Sequence, residues 1–360
     1  MKIPGVKITL TLIAIIFAIS CNREQDKTLP SVVTVSVEDI TPTSATCLLK
    51  VTDDGGDVNV EHGIVYSTTL HEPVMDVFPC YCGSVGGTGT FSAGMQFLTP
   101  GVTYYVRAYV QNAEGTSHGN TISFTTTGNV TGDIVFNPEA DYGSVTDIEG
   151  NVYKTIQIGS RKWMAENLKT TKYNDGTEIT EVKDIYSWDN LDTSAYSWFL
   201  NDKEKYGSTY GALYNWHAVS TGKLCPKGWQ VSSVADWTTI EEYSGGGPAS
   251  IDVFKHLKEA GFTHWVISDS SLDVTNFTGF TALPGGYRGG EPDDQFKFLG
   301  YSGWFWSSDQ AQGEYYPDGV GYALGNGELS NWNLGILGGY TGAFTSDRKY
   351  GFSVRCVKNE

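Results

Sequence analysis

Between residues 31 and 127 apolar and polar positions alternate with a period of two. Val32, Val33, Val35 and Val37 open the stretch. Ala45, Cys47, Leu49 and Val51 then alternate with Thr46, Leu48 and Lys50, the pattern of a strand with one face on a core. A second strand is predicted through His62-Gly-Ile-Val-Tyr-Ser67, and further ones through Tyr105–Val110 and Thr121–Thr125. Asp53-Asp-Gly-Gly-Asp57 is a turn whose acids read as a solvated hairpin tip ahead of a cation site. Residues 31–127 are therefore expected to form an all-β unit. Residues 128–141 read as a linker that runs into an edge strand. Beyond them long periodicity is lost. Ser233-Val-Ala-Asp236 has the form of a capping box with Asp in place of Glu, and Trp237, Ile240 and Tyr243 follow at helical spacing. A second helix is predicted over about Ile251 to Ala260, ending at Gly261. The rest of 142–360 reads as short strands and long loops.

The N-terminus changes the picture. Lys2 and Lys7 precede an apolar run from Ile8 to Ile19, and Ser20-Cys21 close it. Those twelve residues, at about 1.5 Å each, fall short of a hydrocarbon core of roughly 30 Å, so residues 1–20 read as a cleaved signal peptide. Cys21 at the cut resembles a bacterial lipobox cysteine, which would be lipidated; an ordinary signal peptide with a chance cysteine is the alternative. Residues 21–30 are polar and resemble the surface-export tethers of Bacteroidetes lipoproteins. The formal net charge is −17, from 41 acids and 24 bases. That balance excludes nucleic acid, whose phosphates need Lys and Arg, and leaves a lipid anchor as the expected membrane contact.

Leu98, Pro100, Gly101 and Tyr104 resemble the corner before the sixth strand of a fibronectin type III domain, where a Tyr hydroxyl bonds back to the chain. The resemblance implies a β-sandwich acting as spacer or binding module. Cys80-Tyr-Cys82 lacks a second pair or a His at ligand spacing, so metal is not expected there. A bond from Cys47 to Cys80 or Cys82 stays open.

All ten tryptophans lie between Trp163 and Trp332. Val152-Tyr-Lys-Thr-Ile-Gln-Ile-Gly159, Lys162-Trp-Met-Ala-Glu-Asn-Leu168, Lys172-Tyr-Asn-Asp-Gly-Thr177 and Tyr210-Gly-Ala-Leu-Tyr-Asn-Trp216 are followed by four more phrases. These are Leu224-Cys-Pro-Lys-Gly-Trp229, Phe280-Thr-Ala-Leu-Pro-Gly-Gly-Tyr-Arg288, Trp304-Phe-Trp-Ser-Ser308 and Tyr350-Gly-Phe-Ser-Val-Arg-Cys356. Together they resemble the Fibrobacter succinogenes major paralogous domain over residues 142–360. The resemblance implies a C-type-lectin-like α+β fold akin to the formylglycine-generating group, in secreted or lipid-anchored proteins with a binding or adhesion role. A Cys225–Cys356 bond would tie the helical region to the last strand and contribute roughly 4–5 kcal/mol by closing so long a loop; two buried thiols are the alternative. Gly285-Gly286 suit positive φ or close backbone approach. Arg288 is expected to pair with a buried carboxylate, and Trp229, Trp237 and Phe352 to be core.

Three constellations bear on function. Glu291-Pro-Asp-Asp294 with Asp309 after Trp306-Ser-Ser loosely resembles a calcium lectin set; a solvated acidic turn is preferred, so no cofactor is expected. The aromatic run from Tyr301 to Tyr340 offers ligand-binding candidates in Tyr315, Tyr316 and Trp332, with Trp304 and Trp306 assigned to the core. His217, His256 and His264 show neither nucleophile nor metal spacing, and the cysteine pair an enzyme of the formylglycine-generating type needs is taken up structurally. The expectation is a non-catalytic, lipid-anchored cell-surface protein of the outer membrane that binds a glycan or a protein. An envelope structural subunit is the alternative, and an enzyme the third.

Overall fold

The structure is a computed structural model. It describes residues 27–57, 60–74, 79–84, 87–246, 250–266, 274–289, 296–310, 319–325 and 340–360, without the side chains of 79–84, 251, 319–325 and 340–345. It is built mostly from antiparallel sheets, with few and short helices.

Among the described residues the alternating first stretch gives seven strands: β1 (Ser31–Glu38), β2 (Ala45–Asp53), β3 (Glu61–Ser67), β4 (Pro79–Ser84), β5 (Gly89–Met95), β6 (Thr103–Asn112) and β7 (Gly115–Thr125). They form two sheets, ordered β1-β2-β5 and β4-β3-β6-β7. Ala45, Cys47, Leu49 and Val51 are buried as their alternation requires and face Val60, Ile64, Val106 and Val110 from the other sheet. Thr34 stitches the layers: its Oγ1 donates to the Asn120 carbonyl at 2.5 Å and accepts from Ala108 N–H at 2.9 Å. The Tyr corner is present, with the Thr99 N–H donating to Tyr104 Oη at 2.8 Å. Gly101 is required there: its φ is +67°, and a Cβ would stand 2.9 Å from the Gly128 carbonyl oxygen. In the acidic hairpin Asp53 and Asp54 accept the N–H groups of Gly55 and Gly56, and Asp57 pairs with Lys27 at 2.9 Å.

The second unit runs β8 (Gly143–Thr146), β9 (Val152–Ile158), β10 (Arg161–Met164), β11 (Thr180–Glu181), α1 (Ile185–Asp189), β12 (Ala195–Ser197), α2 (Ser208–Tyr210), β13 (Leu213–Tyr214) and α3 (Trp216–Val219). It continues through β14 (Trp229–Val231), α4 (Val234–Tyr243), α5 (Ile251–Leu257), β15 (Gly285–Arg288), β16 (Phe296–Leu299), β17 (Ser302–Gln310), β18 (Gly319–Gly325), β19 (Tyr340–Ser346) and β20 (Cys356–Lys358). Sheet orders are β14-β20-β10-β9-β8, β11-β12-β13 and β16-β15-β17-β18-β19. The capping box closes α4: Ser233 Oγ accepts Asp236 N–H and Asp236 Oδ2 accepts Ser233 N–H. α5 ends at Leu257, before the expected Gly261, because Lys258 turns extended and bridges to Ala282.

One buried cation organises this unit. Arg355 is 0 % exposed. Its Nε donates to Asn167 Oδ1 at 2.7 Å, Nη1 to the Phe280 and Met164 carbonyls at 2.8 and 3.1 Å, and Nη2 to the Thr281 carbonyl at 2.8 Å. Phe280 lies 4.5 Å from the guanidinium carbon. Burial lowers its pKa to about 9, which still leaves it charged at neutral pH. Asn167 passes the link on, donating to the Tyr210 carbonyl and Ser353 Oγ. Next door, Cys356 is bonded to Cys225 across 131 residues.

The segment read as a linker lies along the second unit as a strap. Val130 and Ile134 pack with Phe199, Tyr206 and Tyr210, and Phe136, Ala140 and Tyr142 pack on the cluster of Trp163, Trp237 and Phe254.

Inside the sandwich, His62 is fully buried and stacked on Phe91 at 3.9 Å, and neither ring nitrogen has a hydrogen-bond partner among the described residues. Burial holds its pKa below the ordinary 6.5. As pH falls below 6.5 the unfolded chain therefore takes up a proton that the folded chain refuses, so stability is flat above that pH and declines beneath it. Urea titrations at pH 7 and pH 5 are expected to show this loss, at up to ~1.4 kcal/mol per pH unit for this group. The His62→Leu variant should show a shallower decline; an unchanged decline would remove His62 from the account.

Candidate functional site

The β15–β16 hairpin is shaped by two residues with left-handed backbone. Gly286 has φ +61°, and a Cβ there would stand 2.2 Å from the Lys297 carbonyl oxygen, so the position admits only glycine. Across from it Phe298 has φ +60°, a conformation costing an aromatic residue about 1–2 kcal/mol. Its ring lies 5.7 Å from that of Tyr287. Tyr287 in turn meets Trp304 edge-on at 5.3 Å and Tyr350 at 5.7 Å.

Beneath them is a packed floor. Phe352 and Trp306 are 1 % and 0 % exposed and lie 4.4 Å apart. Trp306 Nε1 donates to the Tyr214 carbonyl at 2.7 Å, which fixes the indole. Trp304 stacks on Phe352 at 5.7 Å and 27°, and its Nε1 donates to Ser302 Oγ. Tyr287, Phe298, Trp304 and Tyr350 are each half-buried. Strands β15, β16 and β17 and the loop before β20 thus present four aromatic rings on a rigid base. Such a platform can cover the apolar face of a sugar ring or the side chains of a partner.

The other expected site residues are placed as follows. Tyr315, Tyr316 and Trp332 lie outside the described residues, as do Cys21 and Glu291–Asp294. Asp309 is engaged: its Oδ2 accepts the Val234 N–H at 2.6 Å, at the start of α4. Among the described residues no group of three or more His, Cys, Asp or Glu is arranged to hold a metal. Trp306 is core as expected, and Trp304 is half-buried, packed against that core at the platform. Arg288 is buried at the approach to α1, where its Nη1 and Nη2 donate to the Val182 and Lys183 carbonyls and it stacks on Trp188 at 4.2 Å.

A separate cavity of about 440 Å³ is lined by Thr171, Glu178, Ile179, Thr180, Glu181 and Tyr196. Burial, together with the nearby Glu181 and Glu149, pushes the Tyr196 hydroxyl up to about 12. Glu178 and Glu181 pair with Lys172 and Lys183 at 3.7 and 3.4 Å. Sequence reasoning missed a buried pair, Glu259 and His264, whose carboxylate and Nδ1 are 2.7 Å apart. No periodic pattern marks it, since the two lie in an irregular stretch after α5.

The frame that carries the platform is the one shared with known sequences. The model of the Fibrobacter succinogenes major domain matches residues 156–358, more than half of the chain. The chain belongs to that family. The match takes in the Arg355 hub, the Cys225–Cys356 bond and all four platform aromatics. No curated protein matches the chain. Among solved structures, the sensor domain of the anti-sigma factor RsgI4 from Pseudobacteroides cellulosolvens is similar at 18% identity, TM-score 0.22, over 27% of this chain and 94% of that one. A fibronectin type III domain from the human KIAA0970 protein is similar at 15% identity, TM-score 0.21, over 32% of this chain and 85% of that one. No helix among the described residues is long and apolar enough to cross a membrane.

Proposed function

We propose that this member of the Fibrobacter succinogenes major domain family is a non-catalytic binding protein of the outer-membrane surface, anchored by lipid on Cys21. The fibronectin-type sandwich is its spacer. Its second unit, of C-type-lectin-like kind, carries the ligand face. The observation that supports this reading most is the half-buried quartet of Tyr287, Phe298, Trp304 and Tyr350 over a packed floor. Phe298 holds a strained backbone conformation that keeps its ring at Tyr287, and strain of this kind concentrates at ligand clamps. The net charge of −17 disfavours anionic polymers, so a neutral glycan is the preferred ligand, ahead of a protein.

A glycan screen on the full chain in detergent is expected to yield a neutral oligosaccharide. Trp304→Ala and Tyr287→Ala should each weaken it at least ~10-fold, about 1.4 kcal/mol. Phe298→Gly suits the backbone and should weaken binding without lowering the melting temperature. An empty screen, or binding indifferent to all three changes, would sink the glycan reading. For the anchor, cells fed labelled palmitate should mark the wild-type chain and not Cys21→Ala; label persisting in the variant would place the lipid elsewhere, and an unlabelled wild-type chain would remove the anchor.

A further inference from the structure

The sandwich and the second unit meet at a joint with three kinds of contact. The first is a shared core. Leu200 packs against the sandwich cluster of Leu98, Val102 and Tyr104 and also against the Phe199, Tyr206 and Leu299 cluster of the second unit. The second is direct bonding to the Tyr corner. Tyr301 Oη donates to the Leu98 carbonyl at 3.0 Å, Lys205 Nζ donates to the Gly101 carbonyl at 3.0 Å, and Phe97 meets the Tyr301 ring at 6.0 Å.

The third is the strap, residues 128–142, whose backbone is held by side chains of the second unit. Tyr210 Oη donates to the Val130 carbonyl, and Thr209 Oγ1 to that of Gly132 at 2.9 Å. The Val135 N–H donates to Glu259 Oε1 at 2.7 Å, and His264 Nδ1 lies 2.8 and 2.7 Å from the two oxygens of that carboxylate. Glu259 and His264 are both 0 % exposed. The strap's own side chains reply: Asn137 donates to the Asn276 carbonyl at 3.1 Å and Tyr142 Oη to that of Gly279 at 3.0 Å. A free linker needs no buried carboxylate to receive its backbone.

Backbone strain gathers at the same place. Seven non-glycine residues among the described ones have φ between 50° and 60°, namely Asp39, Phe97, Leu200, Asn201, Asn276, Thr281 and Phe298. Phe97 and Leu200 lie at the joint, and Asn276 and Thr281 lie under the end of the strap. Strained backbone persists only where the surroundings over-determine it, so these contacts must act together.

We infer that the strap and the Leu200 corner form a lock, with the buried Glu259 carboxylate as its catch, that makes the sandwich and the second unit one cooperative body. The platform is then held at a fixed orientation to the sandwich instead of swinging on a linker. This inference does not depend on the ligand.

Calorimetry of the full chain in detergent should give one unfolding transition with calorimetric and van't Hoff enthalpies equal; two separate transitions would overturn the inference. Hydrogen exchange in the wild-type chain supplies a reading that needs no variant. Amides of residues 128–142 should exchange at least ~10³-fold more slowly than free peptide, and free-peptide rates there would overturn it as well. Glu259→Gln keeps the shape and weakens the catch. It should speed exchange at Val135 by ~10–100-fold while β2 and β9 keep their protection; no change at Val135, or equal loss in β9, would contradict the role assigned to Glu259.

Discussion

The second unit depends on a guanidinium sealed away from water. Removing Arg355 from water costs several kcal/mol, and none of its four acceptors is a carboxylate to offset that cost. The charge is tolerable only if every acceptor stands in place. Those acceptors belong to β10, to the segment after it and to the loop before β15, which are 191, 188, 75 and 74 residues from Arg355. A chain that satisfies them has brought its first and last segments together. The Cys225–Cys356 bond and the pairing of β20 with both β14 and β10 then hold that arrangement shut.

The platform follows from the same closure. Tyr350, Phe352 and Arg355 sit on one short segment, so fixing the cation fixes the floor ring. Trp304 and Trp306 point to the same face of β17, being two residues apart, yet only Trp306 is sealed, by Tyr214. Trp304 meets the rim of Tyr287 and Tyr350 instead. The half-buried aromatics are thus the outer rank of a core whose inner rank is complete.

Much of the fold was legible in the sequence, because it rests on local rules. Period-two alternation gave the buried face of β2; Leu98, Pro100, Gly101 and Tyr104 gave the corner; Ser233 and Asp236 gave the helix start. The phrases of the family gave the frame and its cysteine bond. What was not legible depends on contacts far apart in sequence. The end of α5 was set by a bridge from Lys258 to Ala282, which overrode the stop signal at Gly261. Arg355 looks like any other arginine on paper, and only the fold assigns it carbonyl and amide oxygens in place of an acid. Phe298 carries no sign of its left-handed backbone, since the glycine that permits the hairpin stands twelve positions earlier. The strap looked like a linker because its few apolar residues follow no period, while much of its binding is through backbone groups received by side chains distant in sequence.

The most direct test of the central role of Arg355 is urea unfolding of Arg355→Lys, which keeps the charge and removes the planar fork. A lysine cannot reach four acceptors around one plane, so the second unit should lose at least ~3 kcal/mol of stability. A loss below about 1 kcal/mol would contradict the account, because it would show that the buried charge needs no such set of acceptors.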